Sequence, residues 1–271
     1  MTSLDGLTIL KIGGGAAINL DGIAEDLTAM PGPLIIVHGA NALRDRLAEQ
    51  LGTPRRTITS ISGYSSVYSD DSAIDLLMLA YAGLANKRIV EALQRRGRPA
   101  IGLTGLDGRL IEGRRNQGIR VREEGRTMLV RDRSGKPKTL NRPLLDSLLA
   151  QGLTPVLTVP LADETGVAIN AENDDVVALL SAELKPARVV QLIEAAGILK
   201  DRDDPASRIP RLTPGALGAL EQVAEGRFKR KLHALSRLFE QASPVVLIGD
   251  GRGPHPVADA LAGLGTVIAH D

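Results

Sequence analysis

Short apolar runs rich in β-branched residues recur at 8–12, 34–37, 99–103, 155–159, 188–193, 245–248 and 266–269, each the length of one buried strand. Between them, 18–30, 41–51, 72–96, 142–151, 174–184, 226–241 and 256–264 carry helical spacing of apolar positions. Alternation of this kind predicts an α/β fold, with a mostly parallel central sheet covered by helices on both faces, three layers in all. One stretch breaks the rhythm. Residues 107–138 are rich in Arg, Glu and Gly and alternate in polarity at 119–121 and 127–130, which predicts a β-hairpin excursion carried on one lobe. A weak lobe boundary falls near 161–168, inside a single domain spanning 1–271.

Composition narrows the chemistry. A chain of 271 residues with 24% charged residues and a mean hydropathy of +0.01 can bury a large core. It has no cysteine and four scattered histidines, so thiolate metal sites are excluded and magnesium arriving with a nucleotide is the expected ion. The start has no basic-apolar-small signal pattern, and no apolar run reaches the ~18 residues of a membrane span, so a cytoplasmic location is expected. A net charge of +1 and 2% aromatic residues argue against nucleic acid as a partner.

The most informative local feature is Ile9-Leu10-Lys11-Ile12-Gly13-Gly14-Gly15. A strand that delivers an ammonium to a glycine turn can hold phosphate, because the missing side chains let backbone N–H groups approach an anion. Its spacing fits neither the Walker loop nor the dinucleotide fingerprint, and a plain tight turn with a solvated lysine reads the same. In open parallel sheets ligands bind beyond the carboxyl ends of the strands, so His38-Gly39-Ala40-Asn41, Thr104 to Asp107 and Asn170 to Asp174 are the other segments to watch.

Taken together, Lys11-Ile12-Gly13-Gly14, Val37-His38-Gly39, Tyr81-Ala82-Gly83-Leu84-Ala85-Asn86-Lys87, Gly102 to Arg109, Pro155-Val156-Leu157-Thr158, Ala168-Ile169-Asn170 and Gly226-Arg227-Phe228-Lys229-Arg230-Lys231 resemble the amino acid kinase family, in order and over most of the chain. Within it the chain is similar to the acetylglutamate kinases. It is more similar to the LysW-aminoadipate kinases, on Gly105-Leu106-Asp107-Gly108-Arg109 followed by Gly113-Arg114-Arg115 and on the basic run 227–231. The resemblance implies the amino acid kinase-like fold, and ATP with Mg2+ as phosphoryl donor. It also implies a carboxylate acceptor carried on a small acidic amino-group carrier protein, a homodimer, and lobes of about 1–165 for the acyl substrate and 166–271 for ATP.

It also implies roles. Lys11 would stabilise the transferring phosphoryl group, Lys231 the leaving side, and Asp174 would orient both ammonium groups. Gly13, Gly14, Gly39 and Ala40 would supply backbone N–H donors, and Asn170 would bind the substrate. Each has a plainer reading: Lys231 in a solvated basic face, Asp174 as an ordinary acidic residue in a first helical turn, Asn170 as a turn residue. Arg109, Arg114 and Arg115 would form the carrier-docking patch, or simply a solvated hairpin face.

Three departures concern the substrate. Val67 stands in the substrate-binding segment where relatives have an arginine that pairs with the substrate's α-carboxylate. Either another arginine such as Arg44 replaces it or the substrate differs. Ala40 replaces a second glycine, and Glu194-Ala195-Ala196-Gly197 replaces a more polar nucleotide-side stretch. Free N-acetylglutamate as substrate, or a nucleotide- or amino-acid-binding regulator without turnover, are the other functions the sequence leaves open.

Overall fold

The structure, a computed structural model, describes residues 4–53, 56–61, 65–123, 126–201, 203–224 and 226–270. The chain opens with β1 (Thr8–Ile12), α1 (Leu20–Thr28), β2 (Leu34–His38) and α2 (Asn41–Gln50). A short pair, β3 (Thr57–Thr59) and β4 (Ser65–Val67), leads to α3 (Asp71–Leu77), a π-helical turn (Met78–Ala85), α4 (Asn86–Gln94) and β5 (Ala100–Thr104). Then come β6 (Ile111–Arg115), β7 (Ile119–Glu123), β8 (Arg126–Val130), β9 (Gly135–Leu140), α5 (Arg142–Ala150), β10 (Thr154–Thr158), β11 (Leu161–Ala162) and β12 (Ala168–Ile169). The last part holds α6 (Asn173–Leu184), β13 (Arg188–Ile193), β14 (Arg211–Leu212), α7 (Pro214–Val223), α8 (Gly226–Gln241), β15 (Val245–Asp250), α9 (Pro256–Leu261) and β16 (Thr266–Ile268).

Eight strands form the main sheet in the order β14-β16-β15-β13-β1-β2-β10-β5. The six from β15 to β5 are parallel, and β16 runs antiparallel to β15, with β14 alongside it. Strand side chains alternate between two helical layers, as the period of two demands. Leu10 and Ile12 of β1 pack with Ile23, Leu27, Ile89, Leu93 and Val257, in the layer of α1, α4 and α9. Ile9 faces the opposite layer, with Leu145, Val177, Leu180, Leu232 and Leu235 of α5, α6 and α8. The three-layer α/β/α architecture is therefore present, and Lys11, between Leu10 and Ile12, points toward α6.

Three features differ from the expected elements. The stretch 107–138 is more than a hairpin. Its outer strands β6 and β9 pair with each other and continue through β11 to β12 as a second, four-stranded sheet, while β7 and β8 form the hairpin nested within it. The expected single helix at 72–96 is interrupted by the π turn at Met78–Ala85, where an almost entirely apolar run contains Gly83. Helix α7 was not foreseen: Pro214 opens it at a position where its missing N–H costs nothing, but two glycines in PGALGALEQV weaken the helical signal.

Candidate active site

Lys11 occupies the fourth position of a strand that is buried throughout, and its ammonium lies 3.0 Å from Asp174 Oδ1 at the start of α6. The contact is an ion pair without an aligned hydrogen bond to Oδ1, which leaves the carboxylate acceptor capacity. Their side chains are 9% and 21% exposed, so the pair is largely out of water and poorly screened. Lys231, on α8, is the second cation acting on Asp174. Burial opposes ionisation of Asp174, yet Lys11 and Lys231 together hold its carboxyl down at about 2. Burial pushes the Lys231 ammonium down to about 8, and repulsion from Lys11 adds to this against the attraction of Asp174.

This gives one carboxylate between two ammonium groups. If Lys231 must be charged to work, kcat/KM for ATP falls as pH rises through about 8, since that parameter reports the free enzyme's groups. A pH profile of the Lys231→Arg variant should lack this alkaline limb. Stability moves the other way. The unfolded chain keeps the Lys231 proton up to about 10.5, whereas the folded chain releases it near 8, so folding becomes more favourable between those values.

The helix carrying Lys231 is tied to α6 by ion pairs flanking Asp174. Arg230 pairs with Glu172, and Arg237 Nη1 lies 3.3 Å from Asp175 Oδ1.

Beyond the carboxyl ends of β1 and β2, two backbone turns interlock. A Cβ on Gly14 would lie 2.6 Å from the nitrogens of both Ala40 and Asn41, and one on Gly39 would lie 3.0 Å from Gly14 N. Only backbone fits there. Helix α2 starts at this point without a side-chain cap, because its N-cap is Ala40. The N–H groups of Gly14 and Asn41 have no backbone or side-chain acceptor among the described residues. Orphan donors at a helix start, beside a second turn of bare backbone, make a site whose chemistry suits a phosphoryl or carboxylate oxygen. The arrangement therefore fits the phosphates of ATP.

Asn170 follows β12. Its side-chain amide donates to Ser69 Oγ at 3.1 Å, and Ser69 Oγ in turn donates to the Val67 carbonyl at 3.2 Å. Ser69 N–H also bonds Asp132 Oδ2 at 3.1 Å. Asn170 and Val67 thus share one polar network between the β3–β4 pair and the second sheet. Ser69 was missed in the sequence, where a serine in a polar loop gives no signal. Arg44 is buried, and its guanidinium grips the neighbouring Asp45 through Nε at 3.0 Å and Nη2 at 2.7 Å. Glu194, at the end of β13, accepts the Ala17 N–H at 2.6 Å and lies against Gly15.

The three arginines of the proposed docking patch lie on and beside β6, and Arg115 reaches the Asp132 residue that also holds Ser69. Arg109 pairs with Glu112 at 2.5 Å, Arg115 Nε donates to the Asp132 carbonyl at 2.9 Å, and Arg114 is exposed. Among the described residues no group of three or more His, Asp or Glu is placed to hold a metal ion. The segment 62–64 of the substrate-side loop lies outside the described residues.

The chain is 36% identical over 267 residues to the [LysW]-aminoadipate kinase of Deinococcus radiodurans, covering 97% of this chain and 91% of that one. It is 35% identical to the enzyme of the same name from Thermus thermophilus, covering 97% and 100%. The acetylglutamate kinase of Methanopyrus kandleri is 29% identical, with coverage of 97% and 100%. Among solved structures, an N-acetylglutamate synthase from Neisseria gonorrhoeae has the same fold with a TM-score of 0.77 at 20% identity; it matches 98% of this chain, which spans 60% of that longer protein. A Giardia carbamate kinase superposes with a TM-score of 0.67 at 12% identity, covering 98% and 99%. The model of the amino acid kinase family matches residues 6–249, the segment that holds both lysines, Asp174 and the interlocked glycine turns, and the chain belongs to that family.

Proposed function

We propose that this chain transfers the γ-phosphoryl group of ATP to the side-chain carboxylate of an N-blocked acidic amino acid, of the aminoadipate or glutamate type, borne on a small acidic amino-group carrier protein. The observation that carries the reading is the Lys11–Asp174–Lys231 constellation beside an open backbone N–H site. A carboxylate is already a nucleophile, so the reaction needs no general base; it needs fixed positive charge where negative charge builds up. ATP supplies the phosphoryl group. Lys11 meets the transferring group, Lys231 the leaving side, and Asp174 holds the two ammonium groups at their separation. Gly14 and the start of α2 at Asn41 offer backbone N–H groups to the phosphates; the expected donors Gly13 and Gly39 instead spend their N–H groups on the Leu192 and Ile12 carbonyls, and with Ala40 they shape the turns. Asn170 with Val67 lines the substrate side. Magnesium comes with the nucleotide, held by its phosphates.

In this reading residues 1–165 bind the acyl substrate and 166–271 the nucleotide, and the enzyme works as a cytoplasmic homodimer without nucleic-acid or membrane partners. No described helix is long and apolar enough to cross a membrane. The names of the relatives support both carrier-borne and free acyl substrates, and hydroxylamine trapping of the acyl phosphate separates them. With ATP and magnesium, hydroxamate should form from carrier-linked aminoadipate or glutamate. Product from free N-acetylglutamate alone would make the chain an acetylglutamate kinase. No product from any of the three would favour a regulator that binds without turnover.

The carrier reading has its own check in Arg109, Arg114 and Arg115. Reversing Arg114 and Arg115 to Glu should raise KM for carrier-borne substrate about tenfold at low salt, because rim charges act on encounter. KM for ATP should not move. Equal kinetics of wild type and variant on the carrier-borne substrate would remove the docking role.

A further inference from the structure

The turn that joins β2 to α2 is held by side chains that the reaction itself does not call on. His38 ends β2 and is completely buried. Its Nε2 lies 3.1 Å from Asn86 Nδ2, at the start of α4. The amide of Asn86 can be oriented without seeing hydrogens: Nδ2 also lies 2.9 Å from the Val156 carbonyl, which only accepts, and Oδ1 takes the Lys87 ammonium at 3.1 Å, which only donates. Asn86 is therefore a donor toward His38.

That assignment fixes the imidazole. Nε2 must accept, so the proton of neutral His38 sits on Nδ1, which donates to the Gly39 carbonyl at 3.2 Å. Burial, reinforced by the Lys87 charge, keeps the ring neutral, its pKa lowered to about 4 against the opposing bond to Gly39. A trans peptide is planar, so anchoring the Gly39 carbonyl aims the Ala40 N–H the opposite way. That N–H faces the Tyr81 oxygen, and the Tyr81 hydroxyl donates to Asn41 Oδ1 at 2.6 Å. The Gly39 N–H is tied to the Ile12 carbonyl at 3.0 Å. The Gly39 carbonyl and N–H are thus both tied down, and the neighbouring Asn41 N–H is left for a ligand.

Tyr81 and Asn86 are linked through the π turn, where the Asn86 N–H bonds the Tyr81 carbonyl. Five residues in an α-helix would set the two side chains about 140° apart around the axis, whereas the wider turn stacks them. Both then reach the 38–41 turn.

We propose that Asn86 and Tyr81 are positioning residues, which set the His38 tautomer and the Gly39–Ala40 peptide plane so that the start of α2 meets the glycine turn in the orientation that phosphoryl transfer requires. The inference rests on the kinase reading for its rate effect, but its spectroscopic test needs no substrate. In 15N NMR of the full-length protein above pH 6, His38 should show the Nδ1–H tautomer. Asn86→Asp replaces the donor by an acceptor and should move the proton to Nε2. The same variant should lower kcat about tenfold in the hydroxylamine assay, with KM for ATP within twofold and the circular dichroism spectrum unchanged. Tyr81→Phe, which keeps the ring in place, should lower kcat in the same way and decides the matter if Asn86→Asp does not fold. An Nε2–H tautomer in the wild type would overturn the proposal, as would full kcat in Tyr81→Phe or in a folded, tautomer-shifted Asn86→Asp. Absence of hydroxamate from the wild type would instead count against the kinase reading and leave the tautomer test in force.

Discussion

Lys11→Met is expected to cut kcat by about 10²–10³-fold while leaving the protein folded, measured as hydroxamate formed per enzyme at saturating ATP. The magnitude follows from removing one preorganised cation in a site largely closed to water, where its charge is poorly screened. Folding should survive for a specific reason. Removing one member of a buried ion pair costs about 3–5 kcal/mol when the other is left unpaired. Here Asp174 keeps Lys231 as a partner, and the methionine preserves the packing of the lysine stem inside β1. A Lys11→Met variant that retained a tenth or more of wild-type kcat would remove Lys11 from the reaction. Loss of the folded state without measurable kinetics would show that the pair is structural.

Gly14→Ala should be comparably damaging through geometry alone. The added methyl would sit 2.6 Å from two backbone nitrogens, those of Ala40 and Asn41, and 2.9 Å from the Gly39 carbonyl carbon. Backbone cannot rotate away as a side-chain tip can, so the two turns must separate. Both donor sets then lose their common focus. A displacement of about 1 Å in a positioning element can cost about 10²-fold in rate. The expected result is a fall of that order in kcat/KM for ATP read by hydroxamate formation, with weaker nucleotide binding by isothermal titration and a smaller loss in Tm by thermal unfolding. Undiminished nucleotide affinity would mean that the glycine turn does not touch the phosphates.

Much of this site was legible in the sequence because its parts lie on the most regular elements. Lys11 interrupts an apolar run whose neighbours on either side are buried, and a charge there has to be paired or functional. Asp174 stands in the first turn of a long helix, and Lys231 in a basic run. That these three converge came only from the family resemblance and not from pattern or spacing, since they are brought together by parallel pairing of β1 with β13 and by the packing of α6 on α8. The second sheet was hidden for a related reason. Ala162 of β11 pairs with Glu112 of β6, fifty residues earlier, and β11 and β12 have two residues each, too few to show a period. The π turn was hidden because Met78–Ala85 is apolar at nearly every position, so a change in winding leaves no trace in the pattern. The roles of Asn86, Tyr81 and Ser69 depend on partners 40 to 101 residues away in the chain.

Two ammonium groups facing one carboxylate leave the folded chain with surplus positive charge in an enclosed place. In the kinase reading, an arriving nucleotide brings the missing anion, so its binding also relieves a tension within the protein. The fold is then weakest when nucleotide is scarce.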